Sequence, residues 1–134
     1  MEEKIIWTNG CFDILHVGHI ELFKYAKSMG FKLYVGIDSD HKVREDKGNS
    51  RPFNNSQDRK QVLESIKYID GVFVFNSTQG LDELINIIGA NKMVIGSDWK
   101  GKTVVGEQHV DEVVFFDRIE GYSTTKILEW KQIN

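Results

Sequence analysis

Two histidines stand close together, in His16-Val17-Gly18-His19, soon after an apolar run, Lys4-Ile5-Ile6-Trp7-Thr8, ends in the turn pair Asn9-Gly10. An apolar run closed by a turn reads as a buried strand, and the histidines then fall where a helix begins. The free N–H groups of a helix start favour anions. Imidazoles placed there can donate hydrogen bonds to phosphate oxygens as charge develops in a transition state. Gly10 and Gly18 remove side chains where the backbone would approach such a ligand. The plainer alternative is a capped helix with one exposed and one packed histidine. Zinc would lack a third ligand, because Cys11 is too close and His41 and His109 lie in unrelated segments.

Three further clusters invite a chemical reading. In Lys47-Gly48-Asn49-Ser50-Arg51-Pro52, followed by Arg59, a lysine beside a glycine can swing its charge onto a phosphate and an arginine can clamp one. Such residues are also ordinary on a solvated loop. In Val94-Ile95-Gly96-Ser97-Asp98-Trp99-Lys100-Gly101-Lys102, Gly96 admits a flat base, Asp98 can accept from an exocyclic amine and Trp99 offers a stacking or packing surface. A turn capped by Asp98, with Trp99 in the core, is the plainer account. In Arg118-Ile119-Glu120-Gly121-Tyr122-Ser123-Thr124-Thr125-Lys126, Gly121 turns the chain and Ser123 and Thr124 open a helix, again an anion site. N-capping by Ser123 would occur in either case.

The elements that must position these clusters alternate. Strands are expected at 4–8, 32–37, 71–75, 92–95 and 112–116. Helices are expected from His19 to a stop at Gly30, from Ser56 through Val62, Leu63, Ile66 and Ile69, and over Leu81, Leu84, Ile85 and Ile88 to Gly89. A last one opens near Ser123 and carries Ile127, Leu128 and Trp130. Residues 38–55 are polar and contain the only proline, so they read as a long functional loop. Strands this continuously apolar are buried on both faces, as in parallel sheets covered by helices. The expected fold is therefore α/β: a single domain over residues 1–134, with a doubly wound, Rossmann-like, five-stranded parallel sheet. Such sheets bind ligands beyond the carboxyl ends of their strands, and each cluster follows an expected strand.

With these motifs in view, the chain resembles the cytidylyltransferase-like nucleotidyltransferases, whose HxGH signature it carries as His16-Val17-Gly18-His19. It looks like glycerol-3-phosphate cytidylyltransferase and the heptose-1-phosphate adenylyltransferase domain in particular. The resemblance implies that His16 and His19 bind nucleotide phosphates and stabilise the transition state. It implies that Thr8, Asn9, Gly10, Phe12 and Gly18 line the nucleotide, and that Lys47 and Arg59 meet the acceptor phosphate. The 96–102 segment is similar to a GDDWEGK-type string, with Ser97 for its first aspartate, and makes Gly96 and Asp98 nucleotide contacts. The 118–125 segment is similar to RTEGxSTT, with Ile119 for threonine, and gives Arg118, Glu120, Ser123 and Thr124 to the nucleotide. Class I aminoacyl-tRNA synthetases share a related motif, but this chain is far too short for one.

The expected reaction joins a nucleoside triphosphate to a phosphorylated polyol or sugar and releases pyrophosphate. His16, His19 and Lys47 are its catalytic residues. The 96–99 and 118–121 segments lean toward CTP and glycerol 3-phosphate. Residues 8–13, 51–54 and 105–107 lean toward ATP and a heptose 1-phosphate. CTP is preferred, because base discrimination should reside at the fourth strand's end. A nucleotide-sensing domain without turnover is the non-enzymatic alternative. Mg²⁺ is expected to arrive with the triphosphate, and no acidic cluster suggests a metal site built by the protein. Composition agrees: 134 residues suffice for one core, 40% apolar and 28% charged residues argue against disorder, and a net charge of −3 without a basic block argues against nucleic acid as a partner. No apolar run is long enough to span a membrane. The N-terminus lacks a signal pattern, and the single cysteine fits a cytoplasmic setting. The resemblance further implies a homodimer.

Overall fold

In the computed structural model, which describes residues 3–119 together with Gly121, Ser123, Thr124, Thr125 and Ile127, five strands form one sheet. They are β1 (Ile5–Gly10), β2 (Lys32–Asp38), β3 (Gly71–Phe75), β4 (Lys92–Gly96) and β5 (Glu112–Phe116). The order is β3-β2-β1-β4-β5 and every pairing is parallel. Four helices intervene: α1 (Val17–Ser28), α2 (Asp40–Lys47), α3 (Ser56–Glu64) and α4 (Thr78–Ile88). The doubly wound parallel sheet expected from the sequence is the sheet observed.

Alternation along each strand explains why the strands are apolar throughout. Ile6, Leu33, Val35, Ile37, Val72 and Val94 face one layer, where Phe23 and Ala26 of α1 and Leu63 of α3 complete the core. Trp7, Phe75, Met93 and Ile95 face the other, where Leu81 and Ile85 of α4 cover them. Both faces are therefore dry, and a polar residue at either register would be costly. Trp7 is fully buried because Gly36 on the neighbouring strand leaves it room; a Cβ there would sit 2.4 Å from the indole Cζ2.

The expected loop at 38–55 departs most from the structure. Its first half is the end of β2 and then α2, capped by the Ser39 hydroxyl, which accepts from Lys42 N. Val43 is the only buried residue of α2, so no apolar stripe announced the helix. Its support is the cap and a Lys42–Asp46 ion pair one turn apart. Two smaller differences concern helix starts. Asn55, not Ser56, caps α3 through its side-chain oxygen, and α1 begins at Val17 with His16 as its cap. Thr124, Thr125 and Ile127 are helical, with Ile127 N donating to Ser123 O; Leu128 and Trp130, expected in that helix, lie outside the described residues.

Arg59 ties the strand ends together. Its side chain is fully buried, and its donors reach the carbonyls of Asn54, Cys11 and Asp38 and the carboxylate of Asp40 at 2.8–3.0 Å. One guanidinium thus joins the exits of β1 and β2 to α2 and the start of α3. Among the described residues, no helix is long and apolar enough to cross a membrane. Arg59→Met should lower unfolding free energy by about 3 kcal/mol, because it strips buried carbonyls of their donors. Urea denaturation checks this, and an unchanged midpoint would refute the structural role.

Candidate functional site

The sheet order reverses beside β1, whose neighbours are β2 and β4, and a crevice opens where the carboxyl ends diverge. A cavity of about 300 Å³ there is lined by His16, Gly18, His19, Lys47, Gly96, Asp98, Arg118, Ser123 and Thr124. Residues read from four separate sequence clusters thus meet in one place.

The histidines are held by the helix they start. His16 caps α1 and its Nδ1 accepts from Gly18 N at 3.1 Å, while His19 Nδ1 accepts from His16 N at 3.2 Å. This is a capping box built of two imidazoles rather than a hydroxyl and a carboxylate. An Nδ1 that accepts carries no proton, so each neutral ring keeps its proton on Nε2. The rings stack with centroids 3.9 Å apart, and the edge of Phe12 supports His19 from beneath. Gly18 is required here, since a Cβ would lie 2.8 Å from His16 Cε1. Burial and then the neighbouring His16 pull His19 down to about 4, and burial and then Arg118 lower His16 as well. Both rings are therefore neutral donors at physiological pH.

The charge in the cavity comes from other residues. Lys47, at the end of α2, and Arg51 and Arg118 all line it. Arg118 pairs with Asp98 across the mouth, so the carboxylate expected to read a base is engaged with a cation in this state. Thr124 reaches the cavity, but its hydroxyl donates to Ile14 O at 2.7 Å. Glu120 lies outside the described residues.

Other expected contacts are placed elsewhere. Arg59 is enclosed by the bonds described above and does not line the cavity, so its expected role at the acceptor phosphate is corrected to a structural one. Thr8, expected to line the nucleotide, is 1% exposed within the sheet and borders neither the histidine cavity nor the second one described below. Phe12, with a φ of 48°, is buried against His19 and Phe23 and acts as their support. Asn9 and Gly10 line a second cavity of about 450 Å³. There they meet Asp38, Lys42, Asp46, Trp99 and Lys47, which borders both spaces. Trp99 is half exposed in a short 3-10 turn, Ser97–Trp99, rather than in the core. Burial pushes the Cys11 thiol up and the Asp38 carboxyl up, so Cys11 is a poor nucleophile at neutral pH.

Arg51, read from the sequence only as part of the 47–52 loop and of the 51–54 segment that leans toward ATP, was given no contact of its own, although it lies four residues beyond Lys47 and directly before the only proline. Its loop is held by Asp13, a buried carboxylate that accepts from Phe53 N and Asn54 N at 2.7 and 2.8 Å. Asp13 was likewise read only as part of the 8–13 segment, with no role assigned to it, because a buried structural carboxylate has no spacing of its own.

Comparison with known proteins places the chain among nucleotide-transferring enzymes. It is 42% identical over 132 residues to the bifunctional protein HldE of Aliarcobacter butzleri and 44% identical over 127 residues to that of Nitratiruptor sp.. These alignments cover 98% and 95% of the chain but only 28% and 27% of the relatives, so the chain spans about a quarter of their length. The HldE protein of Koribacter versatilis is 44% identical, with 96% of this chain and 27% of that protein covered. A lipopolysaccharide core biosynthesis protein from Thermoplasma volcanium shares the fold, with a TM-score of 0.70 at 21% identity over 91% of this chain and 100% of that one. The cytidylyltransferase-like family model matches residues 7–130, and with the paired imidazoles at the sheet's reversal point it makes the chain a member of that nucleotidyltransferase family.

Proposed function

We propose that this chain transfers an adenylyl group from ATP to a sugar 1-phosphate of the heptose type and releases pyrophosphate. The observation that carries this reading is the convergence of His16, His19, Lys47, Arg118, Ser123 and Thr124 on one cavity at the sheet's reversal point. The HldE relatives support the adenylyl alternative better than the cytidylyl preference drawn from the sequence. The position of Trp99 agrees. It borders the second cavity and not the first, which removes one argument for a cytidine-reading segment at the end of β4.

The acceptor phosphate is already ionised, so no general base is required. Its oxygen would form the new bond to the α-phosphorus while the bond to the β-bridging oxygen breaks, and the electron pair leaves with pyrophosphate. His16 and His19 would donate Nε2–H groups to the α-phosphate oxygens as their charge grows. Lys47 borders both cavities, so it would hold the acceptor phosphate with its ester in one and its attacking oxygen facing the other. Asn9, Asp38 and Lys42 above an apolar floor, with Trp99 at the side, suit a polyhydroxylated ring. Backbone N–H groups at the helical turn from Ser123 would take the β- and γ-phosphates.

Mg²⁺ would enter as the metal complex of ATP and neutralise phosphate charge. Among the described residues no three His, Cys, Asp or Glu side chains cluster around a common point, so phosphate oxygens and water would supply most of its ligands. A cytoplasmic location and the homodimer implied by the resemblance belong to the same proposal.

With Mg²⁺, ATP and a heptose 1-phosphate, the purified protein should release pyrophosphate, and CTP should be used at least tenfold less well in kcat/KM. Release with CTP and glycerol 3-phosphate instead would overturn the base and the acceptor together. Tight nucleotide binding with no release across a panel of sugar and polyol phosphates would mean a sensor. His19→Ala should cost about 10²–10³-fold in kcat, as loss of a preorganised donor does. Near-wild-type turnover by that folded variant would refute the donor role.

The histidines also set a pH window. A ring at about 4 in the folded chain, against 6.5 when unexposed to the fold, takes up its proton first in the unfolded chain as pH falls. The stability linked to His19 is therefore fully present above 6.5 and drains away toward pH 4. His19→Asn should make the fall in denaturation midpoint across this window shallower; an unchanged slope would contradict a neutral, buried His19.

A further inference from the structure

Arg51 is a charged donor whose wiring is incomplete. Its Nε is buried without a hydrogen-bond partner, and the nearest carboxylate oxygen, Asp13 Oδ2, is 3.6 Å away. That separation is an ion-pair contact but too long for a hydrogen bond. Asp13 does not need it, because both of its oxygens already accept backbone N–H groups. The arginine therefore does not serve to satisfy Asp13. Rather, Asp13 fastens the chain just beyond Arg51 and leaves a negative charge behind the guanidinium. Arg51 N donates to Gly48 O at 3.2 Å, so the loop is also closed on its other side. The side chain is 18% exposed and borders the histidine cavity. Nε therefore lies on the Asp13 side, and the part of the guanidinium side chain that stays exposed at the cavity wall is the part an anion seated there would meet.

Which anion follows from what Arg51 does not touch. Lys47 borders both cavities, whereas Arg51 borders only the one that contains the histidines and the turn from Ser123. Arg118, the other arginine there, already has Asp98. We propose that Arg51 contacts the phosphates of the triphosphate, and of departing pyrophosphate, rather than the acceptor phosphate. This rests on the nucleotidyl-transfer reading given above.

The test is binding, which needs no acceptor. Titration calorimetry with inorganic pyrophosphate, and with the α,β-methylene analogue of ATP plus Mg²⁺, should show Kd raised about 10- to 100-fold in Arg51→Gln, the range of one charge-assisted contact. Arg51→Lys should recover part of that loss, since it keeps the charge and loses the fork. In steady state the KM for ATP should rise while that for the sugar phosphate stays within twofold. Unchanged Kd for both probes would overturn the assignment, as would an effect confined to the acceptor's KM. Thermal melting shows whether the variants fold; if the Gln variant does not, the Lys variant carries the test with an expected rise of at least threefold. Wild-type protein that binds pyrophosphate but neither ATP nor CTP would sink the nucleotidyl-transfer reading and leave the anion site standing.

Discussion

Everything at this site depends on the two imidazoles that cap α1 with their own Nδ1 atoms. Each accepts a backbone N–H, so the hydrogen bonds that start the helix also choose the tautomer of the ring. A serine and a glutamate would have capped the helix as well, but would not have set imidazole Nε2–H donors beside the cavity. Phe12 under His19, and the absence of a Cβ at Gly18, hold the rings in a stack instead of letting them splay. The same packing drives both pKa values down, which separates two duties within the cavity. Neutral rings supply direction, and the lysine and arginines supply charge.

Two buried charges serve the scaffold on which those donors sit. Arg59 gathers the exits of β1 and β2, and Asp13 fastens the chain beyond α2 to the loop that precedes His16. Neither is matched by a simple partner alone; backbone groups satisfy most of their hydrogen-bonding capacity, which is what makes burial of a charge tolerable. The consequence is positional. Lys47 and Arg51 lie on the segment between these two anchors, so loop residues reach the cavity from a fixed base.

The fold was legible because the central strands are covered on both faces, and that leaves a strong mark in sequence: unbroken apolar runs separated by helical stripes. α2 left no such mark, since Val43 alone anchors it, and a helix held by a cap and an ion pair is written in local polar chemistry. Within the site, the histidines, Lys47 and the turn at Ser123 could be read because glycines and helix starts frame them. Arg59 could not be told from a ligand arginine: the distinction is burial, and an arginine's position in sequence says nothing of whether carbonyls surround it. Thr8 and Phe12 sit in the same short string as Asn9 and Gly10, yet the alternation of β1 and the positive φ at Phe12 send their side chains inward. Adjacency in a motif is not adjacency at a ligand.

The reversal of strand order accounts for where the two cavities described here lie. β1 has β2 on one side and β4 on the other, and the connections leave over opposite faces. The space above the carboxyl ends is thereby divided: α1 and the turn from Ser123 border one part, while β3, α4 and the Val104–Val105 segment border the other. In the proposed reaction such a division would let the two phosphates approach from opposite sides of the atom that changes hands. Lys47 occupies that boundary. A dinucleotide-binding fold would instead run one continuous groove across the switch point, with glycines and a helix start under a single pyrophosphate. The histidine cap takes the place of that glycine-rich turn, and this local substitution at the end of β1 sets two neutral imidazoles, rather than bare backbone, beside the crevice.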